Sequence, residues 1–289
     1  MHVVKAKGIL SAKNGMNIYR GCTHGCIYCD SRSKCYHINH AFEDIEVKIN
    51  APELLEDALR RKRKKCMIST GAMTDPYIPL EIKLRLTRKC LEIIEKYGFG
   101  THLITKSNRV LQDLDLLKRI NDKSKCVISM TLTTYNDSLC KILEPNVSTT
   151  SERFETLMIL QEYGIPTVVW FSPLLPYIND TEENIRGILD YCIKAKVKGI
   201  LCFGIGLTLR EGNREYFYQN LDKYFPGLKE RYIREYGNSY VVSSKNHRYL
   251  MDIIKRICIE NKIMYESDKI FTYLNEYPKI EYEQLSFDL

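Results

Sequence analysis

A chain of 289 residues with 44% hydrophobic composition is long enough to bury a sizeable core, in one large domain or two small ones. No run approaches about 20 consecutive apolar residues, and the opening MHVVKAKGIL has no small-residue cleavage site, so neither a membrane span nor a secretion signal is expected. The excess of 43 Lys and Arg over 36 Asp and Glu permits an anionic partner without requiring one, and 11 cysteines scattered through a chain this long do not form the dense framework of a small secreted protein.

Short β-branched or apolar runs alternate with longer amphipathic stretches. Met16–Tyr19 is the first expected strand, and Pro52–Lys64 the first expected helix, with Asn50 as its cap and the basic run Arg60–Lys65 at its end. Next come a strand at Cys66–Thr70, a helix at Ile82–Tyr97 stopped by Gly98, a strand at Thr101–Thr105 and a helix at Asp113–Ile120. A strand at Val127–Thr133, a helix at Ser151–Tyr163 stopped by Gly164, a strand at Thr167–Ser172, a helix at Thr181–Lys194 and a strand at Gly199–Phe203 complete the alternation. Thr181 with Asn184, or Asp180 with Glu183, offers the cap of the last helix. Parallel pairing follows, because each parallel pair needs a crossover. Six such units suit either a doubly wound sheet or an incomplete barrel, and in both the chemistry belongs at the C-terminal ends of the strands. Residues 1–206 are expected to form this unit, 207–275 a helical C-terminal extension rich in Tyr, Arg, Lys and Glu, and 276–289 a polar tail. Cys66, Cys90, Cys126, Cys192, Cys202 and Cys258 sit in apolar segments and read as buried, reduced thiols of a cytoplasmic protein, whereas Cys35 and Cys140 have polar neighbours.

The segment RGCTHGCIYCD, residues 20–30, carries the chemistry. Cys22, Cys26 and Cys29 are spaced C-x-x-x-C-x-x-C in a loop just after the first expected strand. Thiolates are soft ligands that suit iron–sulfur clusters or zinc. A structural zinc site wants a fourth ligand, for which His24, His37 or Cys35 is at hand. A 4Fe–4S cluster held by three cysteines instead leaves one iron open. Gly21 and Gly25 let so short a loop turn tightly.

With Tyr28 just before the third cysteine, this segment resembles the signature of the radical SAM superfamily. The resemblance implies an α/β fold, a partial (β/α)6 TIM-type barrel, that binds a 4Fe–4S cluster and S-adenosylmethionine (SAM). It also implies reductive cleavage of SAM to a 5′-deoxyadenosyl radical, with a reductant such as flavodoxin or ferredoxin as partner. From about residue 15 to 205 the chain is most similar to the spore photoproduct lyase-like branch. In STGAMTDPY, Thr74 and Asp75 match a pair beside the SAM amino acid moiety; in LITKSNRV, Lys106 matches a lysine that reaches the SAM carboxylate; in ISMTLTT, Thr131, or Ser129 one step back on the same face, matches a hydroxyl on SAM. Tyr28 matches the aromatic near adenine and the hydrogen-transfer set of that branch, and Glu144 and Arg153 match a further Glu and Arg that complete the expected catalytic residues. Two positions depart. The branch carries a cysteine three residues before its Asp and a tyrosine directly after its third cluster cysteine; here these are Ala72 and Asp30. Neither side chain relays a radical, which leaves Cys35 or Tyr77 as substitute hydrogen donors.

Two features hint at nucleic acid. The final hexapeptide Gln284–Leu289, QLSFDL, is similar to the motif by which bacterial repair and replication proteins bind the sliding clamp, with Leu285, Phe287 and Leu289 as its apolar anchors. The run RRKRKK at 60–65 could contact phosphates, although positive charge is also favourable at a helix end. A damaged DNA or nucleotide substrate is the first expectation. An RNA- or peptide-modifying enzyme, or a non-enzymatic iron–sulfur sensor that binds nucleic acid, is the alternative.

Overall fold

Six short runs of β-branched and apolar residues pair side by side in the computed structural model, which describes residues 1–278. They are β1 (Gly15–Met16), β2 (Met67–Thr70), β3 (Gly100–Thr105), β4 (Cys126–Thr131), β5 (Thr167–Trp170) and β6 (Gly199–Leu201). The spatial order follows the chain order and every pairing is parallel. A doubly wound sheet reverses its order at a switch point; this one does not. Right-handed crossovers between successive neighbours put all helices on one face and curl the sheet. The edges β1 and β6 do not pair, so the barrel is partial.

The outer layer contains α1 (Ala51–Arg61), α2 (Leu86–Lys96), α3 (Leu114–Lys123), α4 (Asp137–Leu143), α5 (Thr150–Glu162) and α6 (Glu182–Lys194). In α1, Ala51, Leu55 and Leu59 recur on one face and are fully buried, each leucine contributing about 2 kcal/mol by burial. Asn50 precedes the helix but makes no cap; its amide exchanges two 2.9 Å bonds with the Ala6 backbone, which ties the N-terminal segment to the barrel. Thr181 does cap α6, accepting from Asn184 N–H at 3.1 Å. The stretch expected as one helix, Ile82–Tyr97, is broken at Arg85, whose φ is +53°. The cause is tertiary: the buried Glu81 carboxylate accepts from Thr87 N–H at 2.9 Å and from the hydroxyl of Tyr19, capping α2 from the preceding turn. Helix α4 was not anticipated; Asn136 caps it by accepting from Leu139 N–H at 2.9 Å.

The C-terminal extension is not purely helical. Besides α7 (Asn213–Tyr224), α8 (Leu228–Tyr236), α9 (His247–Glu260) and α10 (Ser267–Asn275), it contributes an antiparallel ribbon, β7 (Gly206–Thr208) with β8 (Val241–Ser243). Leu207, Phe217, Leu221, Tyr232 and Val242 share one core with Ile27, Tyr28 and Leu143. Leu250, Ile253 and Ile254 of α9 join the main barrel core. Three tyrosines of this region, Tyr218, Tyr232 and Tyr236, serve that packing, with Tyr232 lying 5.4 Å from both Phe217 and Tyr236, ring centre to ring centre, whereas Tyr224, Tyr240 and Tyr249 are exposed. The Arg60–Lys65 run faces solvent at the end of α1. Gln284–Leu289 lies outside the described residues.

Candidate active site

The chain reaches the cysteine loop through Gly21, where φ is +85° and an added Cβ would stand 2.5 Å from the Phe42 carbonyl oxygen; only glycine fits. Cys22 N–H then donates to that carbonyl at 2.9 Å. The loop is fastened from both sides. Ile27 N–H donates to Leu143 O at 2.9 Å and Asn146 N–H to His24 O at 3.1 Å, while Thr74 Oγ1 donates to Gly21 O and Ser31 Oγ to Met73 O, each at 3.0 Å. Cys22 and Cys26 are buried, Cys29 is half-buried, and all three are free thiols. Burial pushes Cys22 up to about 12 and raises Cys26 and Cys29 as well, while the nearby Lys106 ammonium opposes the shift at each sulfur.

A cavity of about 490 Å³ opens at the C-terminal ends of the strands. Cys26, Tyr28, Cys29, Lys106 and Thr131 line it, as do Asp30 and Ala72. Thus five of the residues singled out by sequence meet at one surface, though they come from β3, β4 and the cysteine loop. Lys106 stands 5.9 Å from the centre of the Tyr28 ring. Burial alone would lower its pKa, but the neighbouring Cys26 sulfur and Glu144 carboxylate outweigh that and raise it. No carboxylate lies within ion-pairing distance of its Nζ among the described residues. It is therefore a cation at a cavity wall awaiting an anionic group.

The other expected residues stand behind this surface. Arg153 and Glu144 are fully buried and paired. Arg153 also donates to Thr131 O at 2.7 Å and to Cys140 Sγ at 2.8 Å, and Tyr28 Oη donates to Glu144. Burial raises the Glu144 carboxyl, yet Arg153 and Lys106 together overcome it and hold the group below its ordinary value. Burial and the Glu144 charge push the Tyr28 phenol well above its ordinary value, so it stays a hydrogen-bond donor. This chain of contacts fixes the Tyr28 ring at the cavity. Cys140, set among polar residues in sequence, is buried within it. Asp75 accepts from Thr105 Oγ1 at 2.8 Å, Lys106 N–H at 2.7 Å and Tyr77 N–H at 2.8 Å, and so holds the end of β3 from which Lys106 projects. Thr74 is engaged with Gly21. Ser129 lies deeper than Thr131 and bonds His102 Nε2 at 2.7 Å. Neither substitute hydrogen donor lines the cavity: Tyr77 Oη donates to Asp113 at 3.2 Å within the core, and Cys35 is exposed, 3.2 Å from Arg210 Nη1.

A second group of lining residues was missed in the sequence. It comprises Trp170, Phe203, Thr208, Val241, Ser243 and His247. Trp170 ends β5 and Phe203 lies two residues past β6, positions at the strand ends that could have marked them. The ribbon residues carried no such signal.

The residues present fit an iron–sulfur cluster with an amino-acid-bearing ligand. Three unpaired thiols share one loop, two of them at the cavity, beside an unpaired cation suited to a carboxylate. The three sulfurs do not converge within 4.8 Å of one another, a closeness expected around a single ion. Cys35 stands apart beside Arg210, not in the loop's thiol group.

The sequence model of the radical SAM superfamily matches residues 16–192. An uncharacterized protein of Methanocaldococcus jannaschii is 32% identical over 179 residues, 61% of this chain and 66% of that protein. The chain thus spans just under two thirds of that relative's length. A radical SAM Nα-GlyT isomerase of Pseudomonas phage M6 is 26% identical over 175 residues, covering 58% of this chain and 34% of that protein. Among solved structures, spore photoproduct lyase complexed with dinucleoside spore photoproduct superposes with a TM-score of 0.64 at 16% identity, covering 91% of this chain and 80% of that one; the likeness is one of fold.

Proposed function

The chain belongs to the radical SAM superfamily, and from that premise we propose that it abstracts hydrogen from a DNA or nucleotide lesion held in the 490 Å³ cavity. The observation that carries the reading is the meeting of Cys26, Cys29, Tyr28, Lys106 and Thr131 on one cavity wall. Cys22, Cys26 and Cys29 would hold a 4Fe–4S cluster. Bound there with SAM, the cluster supplies reductive cleavage of the sulfonium to a 5′-deoxyadenosyl radical. In this reading Lys106 binds the SAM carboxylate, Tyr28 packs against its adenine, and the Thr131 hydroxyl hydrogen-bonds its polar groups. Asp75 and Thr74 orient the strand ends. Glu144 and Arg153 hold Tyr28 and are positioning residues, since they do not reach the cavity.

The nucleotide class is supported by the aromatic lining residues, where Trp170 and Phe203 stand 5.7 Å apart, ring centre to ring centre, and Phe203 is 58% exposed, a surface on which a flat base can stack. Splitting of spore photoproduct itself is disfavoured, because Ala72 stands where a hydrogen-donating thiol would be needed. An external one-electron reductant such as flavodoxin or ferredoxin completes the reading, in a reducing cytoplasm, with Gln284–Leu289 as a clamp-binding peptide.

Anaerobic assembly with iron and sulfide, reduction by dithionite and addition of SAM tests the chemistry. Wild type should form 5′-deoxyadenosine and Cys26→Ala should not. If an assembled cluster neither yields product nor changes its spectrum with SAM, the enzymatic reading falls. Damaged DNA that fails to bind, while a peptide is turned over, would remove the nucleotide class.

A further inference from the structure

The N-terminal segment brings a second set of ligand-bearing side chains together, away from the cavity. His2 lies on the strand His2–Val4, which pairs in parallel with Glu46–Lys48; His40 and Asp44 lie on the loop that leads into the latter. One ligand atom from each of His2, His40 and Asp44 lies within 4.8 Å of the others, and all three residues are half-buried. The two imidazole rings meet edge to face with their centres 4.8 Å apart.

The hydrogen bonds set the orientation of this group. His40 Nδ1 lies 2.9 Å from the Ala41 carbonyl. A carbonyl only accepts, so Nδ1 carries the proton and Nε2 presents a bare lone pair. That Nε2 is buried and has no hydrogen-bond partner, whereas buried polar atoms are ordinarily paired. An imidazole that donates through one nitrogen to a backbone carbonyl and offers the other as a lone pair is oriented as a metal-ligating histidine is. Asp44 Oδ1 is 2.8 Å from the Met1 amine and Oδ2 is 2.9 Å from His2 Nδ1, so the carboxylate faces the ring pair.

We propose that His2, His40 and Asp44 form a binding site for a divalent cation of the zinc class. Two imidazoles and one carboxylate match zinc's preference for nitrogen with oxygen, and three protein ligands leave one position for water. Calcium and magnesium prefer all-oxygen sites. The ion staples the first strand to the loop that backs the cysteine segment: Phe42, between two of the ligands, accepts the Cys22 N–H at 2.9 Å, and Arg20 Nη2 donates to His37 O at 3.0 Å. The inference does not rest on the radical reading.

Calorimetric titration with Zn²⁺ tests it on two full-length proteins. One is the cluster-loaded wild type; in the other Cys22, Cys26 and Cys29 are all alanine, so that no thiol of that loop competes for zinc. One saturable equivalent should bind to both. In the triple-alanine background, His40→Gln and Asp44→Asn should each weaken it at least about tenfold. Zinc should raise the melting temperature of the parent and leave that of either variant unmoved. Both substitutions nearly preserve side-chain size, and melting in chelator verifies that the variants fold. No saturable equivalent in the triple-alanine protein, or undiminished binding in either variant, overturns the site.

Discussion

The two groups of residues that line the cavity are built by opposite means. On the cysteine side, Tyr28 is anchored through Glu144 and Arg153, which are wholly buried and carry full charges. Among the second group, Phe203 is 58% exposed and Val241 57%. Buried charge tolerates only one arrangement, because each group left unpaired costs several kcal/mol. An exposed aromatic surface admits many partners at little cost. The first group is thus suited to an invariant ligand and the second to whatever distinguishes one substrate from another.

The contrast can be broken most severely at Arg153. Arg153→Met leaves Glu144 charged and buried, and should lower stability by about 3–5 kcal/mol, measured by urea unfolding. Adding Glu144→Leu should recover a substantial part of that loss, since an apolar pair has no unpaired charge; a double variant as unstable as the sum would deny the coupling.

Acid probes the barrel core more gently. Burial, aided by the Lys125 charge, lowers His102 to about 4, against an unfolded value of about 6.5. Over that window the unfolded chain binds the proton and the folded chain does not. Stability contributed by neutral His102 is therefore complete above about pH 6.5 and is lost as pH falls toward 4, by about 3 kcal/mol in all. His102→Asn should flatten that part of a stability–pH curve.

Tyr28→Phe removes one hydrogen bond to a buried carboxylate and should cost about 2 kcal/mol, read as a shifted urea midpoint at unchanged slope. The smallest effect on folding belongs to the second group. Phe203→Ser should change stability by no more than about 0.5 kcal/mol and leave substrate-free 5′-deoxyadenosine formation intact, while weakening substrate binding. A Phe203 variant that unfolds would show this group to be structural after all.

Much of the barrel could be read from the chain because its signals are local. Alternation of apolar runs with amphipathic stretches located β2 to β6, whereas the expected Met16–Tyr19 meets β1 only at Met16 and ends in a separate strand, Tyr19–Arg20, that pairs with Glu46–Lys48; glycines marked the ends of α2 and α5, with Gly98 at φ +63° and Gly164 at φ +69°. The cysteine loop was legible for the same reason: the thiols lie within eight residues, so their spacing is itself the geometry. Lys106 and Thr131 were singled out by the resemblance to the photoproduct lyase-like branch, and the convergence of strand ends in such a fold agrees with it. What sequence could not supply were relations between distant segments. The break at Arg85 depends on Glu81 being buried beneath Tyr19, and the role of Glu144 depends on residues 9 and 116 positions away. The choice of barrel over doubly wound sheet lay in the spatial order of strands, to which both folds bring the same local pattern. The ribbon that walls the cavity pairs residues 206–208 with 241–243, two short runs that carry no signal until the intervening helices bring them together. Local chemistry was determined by the sequence itself; the cavity was decided by tertiary structure, because its walls exist only where segments far apart in the chain bury one another's surface.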